Sequence, residues 1–503
     1  MSGIAKKIAS QSGWFLVGNL YTMVVGFAFQ IYLAQQIGPE GLGLFALLQA
    51  GVAALSGLLG MGVAQVMVRF IPEHVHKREY AELHALVRGG FALLACISVL
   101  GLVGVYLALP ALVDRWPDLG DHKSEVMAGA IMLPLGLLLY ASTNALRGFY
   151  DIRYIVMATS ILQLTVKVLF SILIFTLGFY LMGYLWAVNL SMGVALIWML
   201  FGIWRHLCRY PSQRNLRIGL LPAWRRYGQV MYAENLLVFW SDPLEKFILG
   251  FTASAAAVGV LAVANTLYIL PAVFLNLFLA IVAPMLARAA SEEKMEEVQE
   301  IYHLTTDWQV RLSFPLVIFL GISAPQLLGI YGETFSDKGT ILLQLLVLAQ
   351  FVNLITGPVG NVLIMCGHER KMFAVTTGGV FFRSILLLAI VPVFGLNGIG
   401  LIVILGILVI NVSALILAWK FTGLHWWNAK YNAWCLPAAL AISVAWVANY
   451  WGALNVYGLV ALLPLLYLVF HGSYILIHGL SSEDREICYA IRSKLPSSIT
   501  RYW

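Results

Sequence analysis

The sequence is short of charge. Only 11% of its 503 residues are Asp, Glu, Lys or Arg, against 61% hydrophobic residues, which leaves too little polar surface to cover a soluble globule of this length. Cysteine is scarce as well. Cys96, Cys208, Cys366, Cys435 and Cys488 are far apart and show no CxxC or CxxH spacing, so neither a disulfide framework nor a metal site is expected. Long polar loops, Gly-rich phosphate loops and catalytic triads are lacking too, which argues against an enzyme and against any cofactor. What fills the chain instead is apolar runs, and they mark an integral membrane protein.

A helix needs roughly 20 apolar residues to cross the hydrocarbon core. About fourteen segments qualify: 12–36, 41–68, 89–110, 125–146, 154–178, 181–204, 228–250, 255–287, 308–331, 340–366, 372–393, 397–419, 433–452 and 455–477. The first is too long for a signal-peptide core and is expected to be retained. Loops on the N-terminal side hold 25 of the 31 Lys and Arg, and the opposite side holds three, Arg115, Lys123 and Lys338. That asymmetry predicts a multi-pass protein with both termini cytoplasmic. It also accounts for the net charge of +7 without invoking nucleic acid.

An internal repeat organises the spans. The stretch LAQQIGPEGLGLFALLQ, Leu33 to Gln49, matches LGFTASAAAVGVLAVAN, Leu249 to Asn265, at an offset of 216. Asn19 then meets Asn235, Gly43 meets Gly259, Ala46 meets Ala262 and Gln49 meets Asn265. With small gaps the match continues to Arg69 and Arg288, Gly148 and Gly367, and Gly183 and Gly398. Six spans is an even number, so the halves insert with like orientation, related by a pseudo-twofold along the membrane normal. The expected all-α architecture is an N-lobe at 1–204, a basic linker at 205–227, a C-lobe at 228–420, two further helices in 421–478 and a tail at 479–503. The linker contains RHLCRYPSQRNLRIGLLPAWRR, six arginines in a stretch that is free of acid from Ile152 to Ala233.

QIGPEGLGLFALL, followed by LGMGVAQVMVRFIPEHVHKREYAEL, resembles the polysaccharide transporter family of O-antigen and exopolysaccharide flippases, within the multidrug/oligosaccharidyl-lipid/polysaccharide exporter superfamily. The resemblance implies a bacterial inner-membrane flippase carrying undecaprenyl-diphosphate-linked oligosaccharide to the outer leaflet by alternating access. Its expected partners are that lipid-linked oligosaccharide, membrane lipids, and a polysaccharide polymerase or other assembly proteins, with no nucleic acid. Two alternatives share the fold: a peptidoglycan lipid-precursor flippase, and a multidrug or organic-cation antiporter.

Charges inside the bilayer are costly and are site candidates by default. Lys167 and Arg383 lie near the middle of the fifth and eleventh spans at the repeat offset of 216, placed to clamp a diphosphate, the lysine as a point charge and the arginine by its fork. Arg69 and Arg288 are the candidates for the entrance. The seventh span carries Glu234, Asp242 and Glu245 beside Lys246 and Pro243. Glu234 and Glu245 fall within about 40° of each other at helical spacing, an acidic face suited to coupling a cation gradient. Asn19, Asn235, Gln49 and Asn265 are polar groups for sugar hydroxyls or for interhelical hydrogen bonds. A clamp of cations favours an anionic substrate over an organic cation. Ser482 is expected to cap a short tail helix.

Overall fold

In the computed structural model, which describes residues 2–115, 122–211, 222–452, 454–479 and 484–485, every regular element is helical. The caps expected at Ser482 lie outside the described residues. Nine described helices are long and apolar enough to cross a membrane, ten if the bent pair Ala255–Tyr268 and Ala272–Leu279 is one span. Two of the nine are double. Helix α1, Ser2–Leu59, changes course at Gly38 (φ 67°), and the long helix Glu369–Thr422 does so at Gly395 (φ 55°). Only glycine takes a positive φ without steric cost, so the Gly-Pro-Glu-Gly signal is a turn between two spans. All of the fourteen apolar segments fall on helices, giving about fourteen spans.

After α1 come α2 (Val63–Lys77), α3 (Tyr80–Arg115), α4 (Lys123–Ala130), α5 (Met132–Gly148), α6 (Ile152–Ile155), α7 (Gln163–Thr176) and α8 (Leu181–Cys208). A π-helix, Val156–Leu162, joins α6 to α7 within the fifth span. Then follow α9 (Pro222–Thr252), α10 (Ala255–Tyr268), α11 (Ala272–Ser291), α12 (Met295–Ile322), α13 (Ala324–Gly329), α14 (Glu333–Ile355), α15 (Val359–Met365) and α16 (Glu369–Thr422). A 3₁₀ segment, Ala429–Trp434, leads into α17 (Cys435–Tyr450) and α18 (Val456–His478). The second span is itself interrupted, at 60–62 between α1 and α2.

Packing divides the chain into two compact units. The first holds Met1–Ala262, Ile330–Phe335 and Ser384–Leu396; the second holds Val263–Gly329, Ser336–Arg383 and Asn397–Trp503. In the first, Met67, Ile71, Leu83, Leu86, Leu146, Met199 and Trp224 are fully or almost fully buried at the centre of one cluster. In the second, Leu286, Tyr302, Val362, Ala414 and Ala418 form the corresponding centre. Lipid tails are as apolar as leucine, so helix association depends on close fit. The first unit supplies an instance: Gly43 on α1 and Gly259 on α10 face each other. A Cβ on Gly43 would overlap the carbonyl of Ala255, and one on Gly259 would overlap that of Pro39. The two repeat-matched glycines thus meet in one crossing.

The repeat is also written in the backbone. Among the described residues, non-glycine residues with positive φ are confined to Met61, Arg78, Tyr150 and Glu293. Arg78 (φ 58°) and Glu293 (φ 56°) end matching helices 215 positions apart. Tyr150 (φ 57°) pairs with Gly367 (φ 79°), and Gly178 (φ 84°) with Gly395, each at 217. Measured from the Arg78 and Glu293 turns, Arg69 stands about one helical turn further back than Arg288.

Candidate functional site

The first unit places a lysine in the middle of a span with no acid beside it among the described residues. Just before it, the π-helix widens the fifth span where α1 crosses: a Cβ on Gly18 would lie 2.5 Å from the Val156 side chain. The hydroxyls of Thr159 and Thr165 bond back to Ile155 and Ile161 at 2.9 and 2.7 Å. Tyr21 of α1 shares a 2.7 Å hydrogen bond with Thr165, tying the two helices together two residues before Lys167. Lys167 is half-buried, its Nζ 5.8 Å from the ring centroid of Phe29. It makes no ion pair among the described residues. Phe29 belongs to an aromatic group with Tyr32 and Tyr184, at centroid distances of 6.4 and 6.2 Å. An ammonium over a ring face is stabilised by about 0.5–2 kcal/mol, far less than an anionic partner would supply in the same setting.

Arg383 lies in the second unit. It is half-buried, its stem packed against Gly406 of the same long helix, 3.8 Å from where a Cβ there would sit. Lys167 and Arg383 are therefore members of different units.

Other candidates divide according to how their polar groups are used. Arg69 is exposed and lies over the rings of Tyr227 and Phe70, at 4.5 and 5.4 Å, and makes no ion pair among the described residues. Arg288 is exposed but pairs with Glu297, so its charge is already compensated. Glu245 is buried at 5% exposure next to buried Pro243. The side chains of Glu234, Asn235 and Asp242 lie outside the described residues. Asn19 and Gln49 are exposed on α1, and Asn265, half-buried, belongs to the second unit.

Sequence reasoning missed the most elaborate polar network. Arg311 of α12 donates to both carboxylate oxygens of Asp484, at 3.0 and 3.1 Å, and to Asp307 at 3.0 Å, with its guanidinium 4.4 Å over the ring of Tyr474. Trp434 and Trp308 complete it by donating to Asp307 and Asp484, at 2.7 and 3.2 Å. Arg311 thus serves to hold the tail rather than to await a ligand. The Asp307–Arg311 spacing of four was the available signal; Asp484, 173 positions away, offered none. Nearby, His303 shares a 2.8 Å hydrogen bond with Tyr431. Burial, then His425 and Lys430, hold its imidazole below the ordinary value.

A family model described as polysaccharide biosynthesis protein matches residues 8–290. Among curated proteins no sequence matches the chain. Among solved structures, one described as the inward-facing conformation of a multidrug resistance MATE family transporter of the MOP superfamily aligns with a TM-score of 0.63 at 17% identity, covering 80% of this chain and 94% of that one. A MOP superfamily transporter from Pyrococcus furiosus, described by a reverse polarity of its binding pocket, aligns with a TM-score of 0.58 at 18% identity, covering 83% and 96%. An outward-facing multidrug resistance MATE family transporter gives 0.55 at 18%, with the same coverage. A family match over more than half of the chain, on the fold of the MOP transporters, places it: this multi-pass membrane protein belongs to the polysaccharide biosynthesis protein family.

Proposed function

We propose that the protein is a flippase that moves an undecaprenyl-diphosphate-linked oligosaccharide from the cytoplasmic to the periplasmic leaflet of a bacterial inner membrane during surface polysaccharide synthesis. The observation that carries this reading is Lys167, a mid-span cation with no acid beside it among the described residues. Holding such a charge in the bilayer costs at least a few kcal/mol, a cost that an anionic substrate passing through offsets. A diphosphate supplies that anion. Arg383, at the repeat offset, is a further candidate for phosphate recognition, and Arg69, which makes no ion pair among the described residues, is favoured over Arg288 for the entrance. The two repeat lobes alternate access, and a buried carboxylate at Glu245, with Glu234 and Asp242 on the same helix, takes up a proton or sodium ion to drive them. The saccharide then passes to a polymerase or other assembly proteins.

The test is export by Lys167→Ala and Lys167→Arg at matched protein levels. Alanine should abolish most export of surface polysaccharide and leave lipid-linked oligosaccharide on the cytoplasmic leaflet, while arginine, which keeps the charge, should restore part of it. Full export by the alanine variant would reject the anion role. Accumulation of a peptidoglycan precursor in place of an oligosaccharide would reassign the substrate.

A further inference from the structure

A groove separate from the Lys167 site lies between α3 and α8, at their Lys- and Arg-rich ends in the first unit. It is a cavity of about 480 Å³ whose walls include Val87, Phe91, Leu200, Ile203 and Leu207. The helix ends are locked together, since His84 on α3 shares a 2.8 Å hydrogen bond with the carbonyl of Tyr210 just past α8. Its rim is basic. Arg88 lines it, and Arg205 and Arg209 stand on the last turn of α8 and the residue after it. All three are exposed, and none makes an ion pair among the described residues; Arg205 donates only to the Tyr154 hydroxyl, at 3.3 Å. Trp204 also lines the groove and is largely exposed, as befits a ring at headgroup depth.

Apolar walls, an indole and exposed arginines at one end of the spans match one kind of molecule. We infer that this groove seats an anionic phospholipid of the leaflet bordering the basic end, with acyl chain against Phe91, Ile203 and Leu207 and phosphate against Arg88. The argument is charge complementarity at an interface. A guanidinium near a membrane surface attracts an anionic headgroup by about 1 kcal/mol, and no acid of α8 or the linker competes, because the sequence is acid-free from Ile152 to Ala233. The site is independent of the transported substrate: it fixes α3 to α8 and fills a hole that would otherwise lie open at headgroup depth.

Cys208 lines the same groove and is exposed, which makes it a native reporter. The full-length protein, with Cys96, Cys366, Cys435 and Cys488 replaced by serine, would be placed in nanodiscs of phosphatidylcholine alone or with phosphatidylglycerol, and maleimide labelling of Cys208 timed. Phosphatidylglycerol should slow labelling, and Arg88→Ala should weaken that protection about fivefold, the equivalent of one lost headgroup contact. Arg88→Lys should retain it, separating loss of charge from misfolding. Equal labelling rates in both lipid mixtures, or protection unaffected by Arg88→Ala, would overturn the inference. So would protection by a trace of polyprenyl diphosphate in phosphatidylcholine with none from phosphatidylglycerol, which would make the groove a substrate entrance. Failure of the Lys167 export test would leave the lipid result untouched.

Discussion

Asp151 shows how a single residue fastens the end of two spans. The chain leaves α5, turns through Tyr150 at positive φ, and enters α6 with Asp151 at its N-terminus. His206 of α8 donates to the Asp151 carboxylate at 3.1 Å, Arg153 approaches its other oxygen at 3.5 Å, and the ring of Phe149 stacks on His206 with centroids 4.8 Å apart. Burial works against the Asp151 charge, yet the hydrogen bond from His206 and the Arg153 charge outweigh it and hold the carboxyl below the ordinary aspartate range. A depressed folded-state value means that the interaction contributes in full above the unfolded value of about 3.9 and is lost as pH falls through the folded one. Asp151→Asn should therefore cost about 1–3 kcal/mol at neutral pH, the penalty for spoiling one buried partnership. Melting curves in detergent from pH 7 to pH 3 test this: the gap between variant and parent should persist to about pH 4 and close below it. A gap that opens only in acid would reverse the assigned sign.

At the scale of elements, the crossing of α1 and α10 turns the repeat into a mechanical prediction. Two backbones approach at Gly43 and Gly259 with no room for a methyl group, and the obstructing atoms are main-chain carbonyls that cannot swing aside. Gly43→Ala and Gly259→Ala should each impair export and lower thermal stability, and the double variant should cost less than the sum, because one forced separation relieves both clashes. Gly104, with nothing within 4 Å of an added Cβ, is the control, and Gly104→Ala should be silent. Strict additivity would mean that the glycines act in separate contacts. The sequence announced this crossing only in part. It showed the glycines at a common offset, since small residues in an apolar run stand out, but their mutual contact is tertiary and has no local signature. The π-helix before Lys167 was illegible for a related reason, since Val156–Leu162 has the composition of an ordinary span. Lys167 itself was legible, because one charge in a long apolar run needs no tertiary information to be seen. The network around Arg311 was illegible because its anchor, Asp484, belongs to another element.

For the molecule as a whole, the unequal distribution of Lys and Arg becomes a claim about sidedness. Twenty-five of these residues against three lie on the side of the N-terminus, and such a bias orients helices during insertion. The described tail residue Asp484 is bonded to Arg311, and Asp307, one turn earlier on α12, receives Trp434 just before α17. These contacts tie the middle of α12 to the entry of α17 and to the residues after α18 within the second unit. The segments 288–311, 420–430 and the tail all belong to the Lys- and Arg-rich side of the sequence, so one orientation must serve them all. A phosphatase that is active only outside the cytoplasm should then be inactive when fused after residue 503 and active when inserted after His122, between α3 and α4. Replacing Arg311 with Ala should loosen the tail without changing either result, because insertion is decided by the summed charge of many loops rather than by one buried pair. If the C-terminal fusion were active and the His122 insertion silent, the direction proposed for transport would be inverted, although the helices, the repeat and the Lys167 site would stand as described.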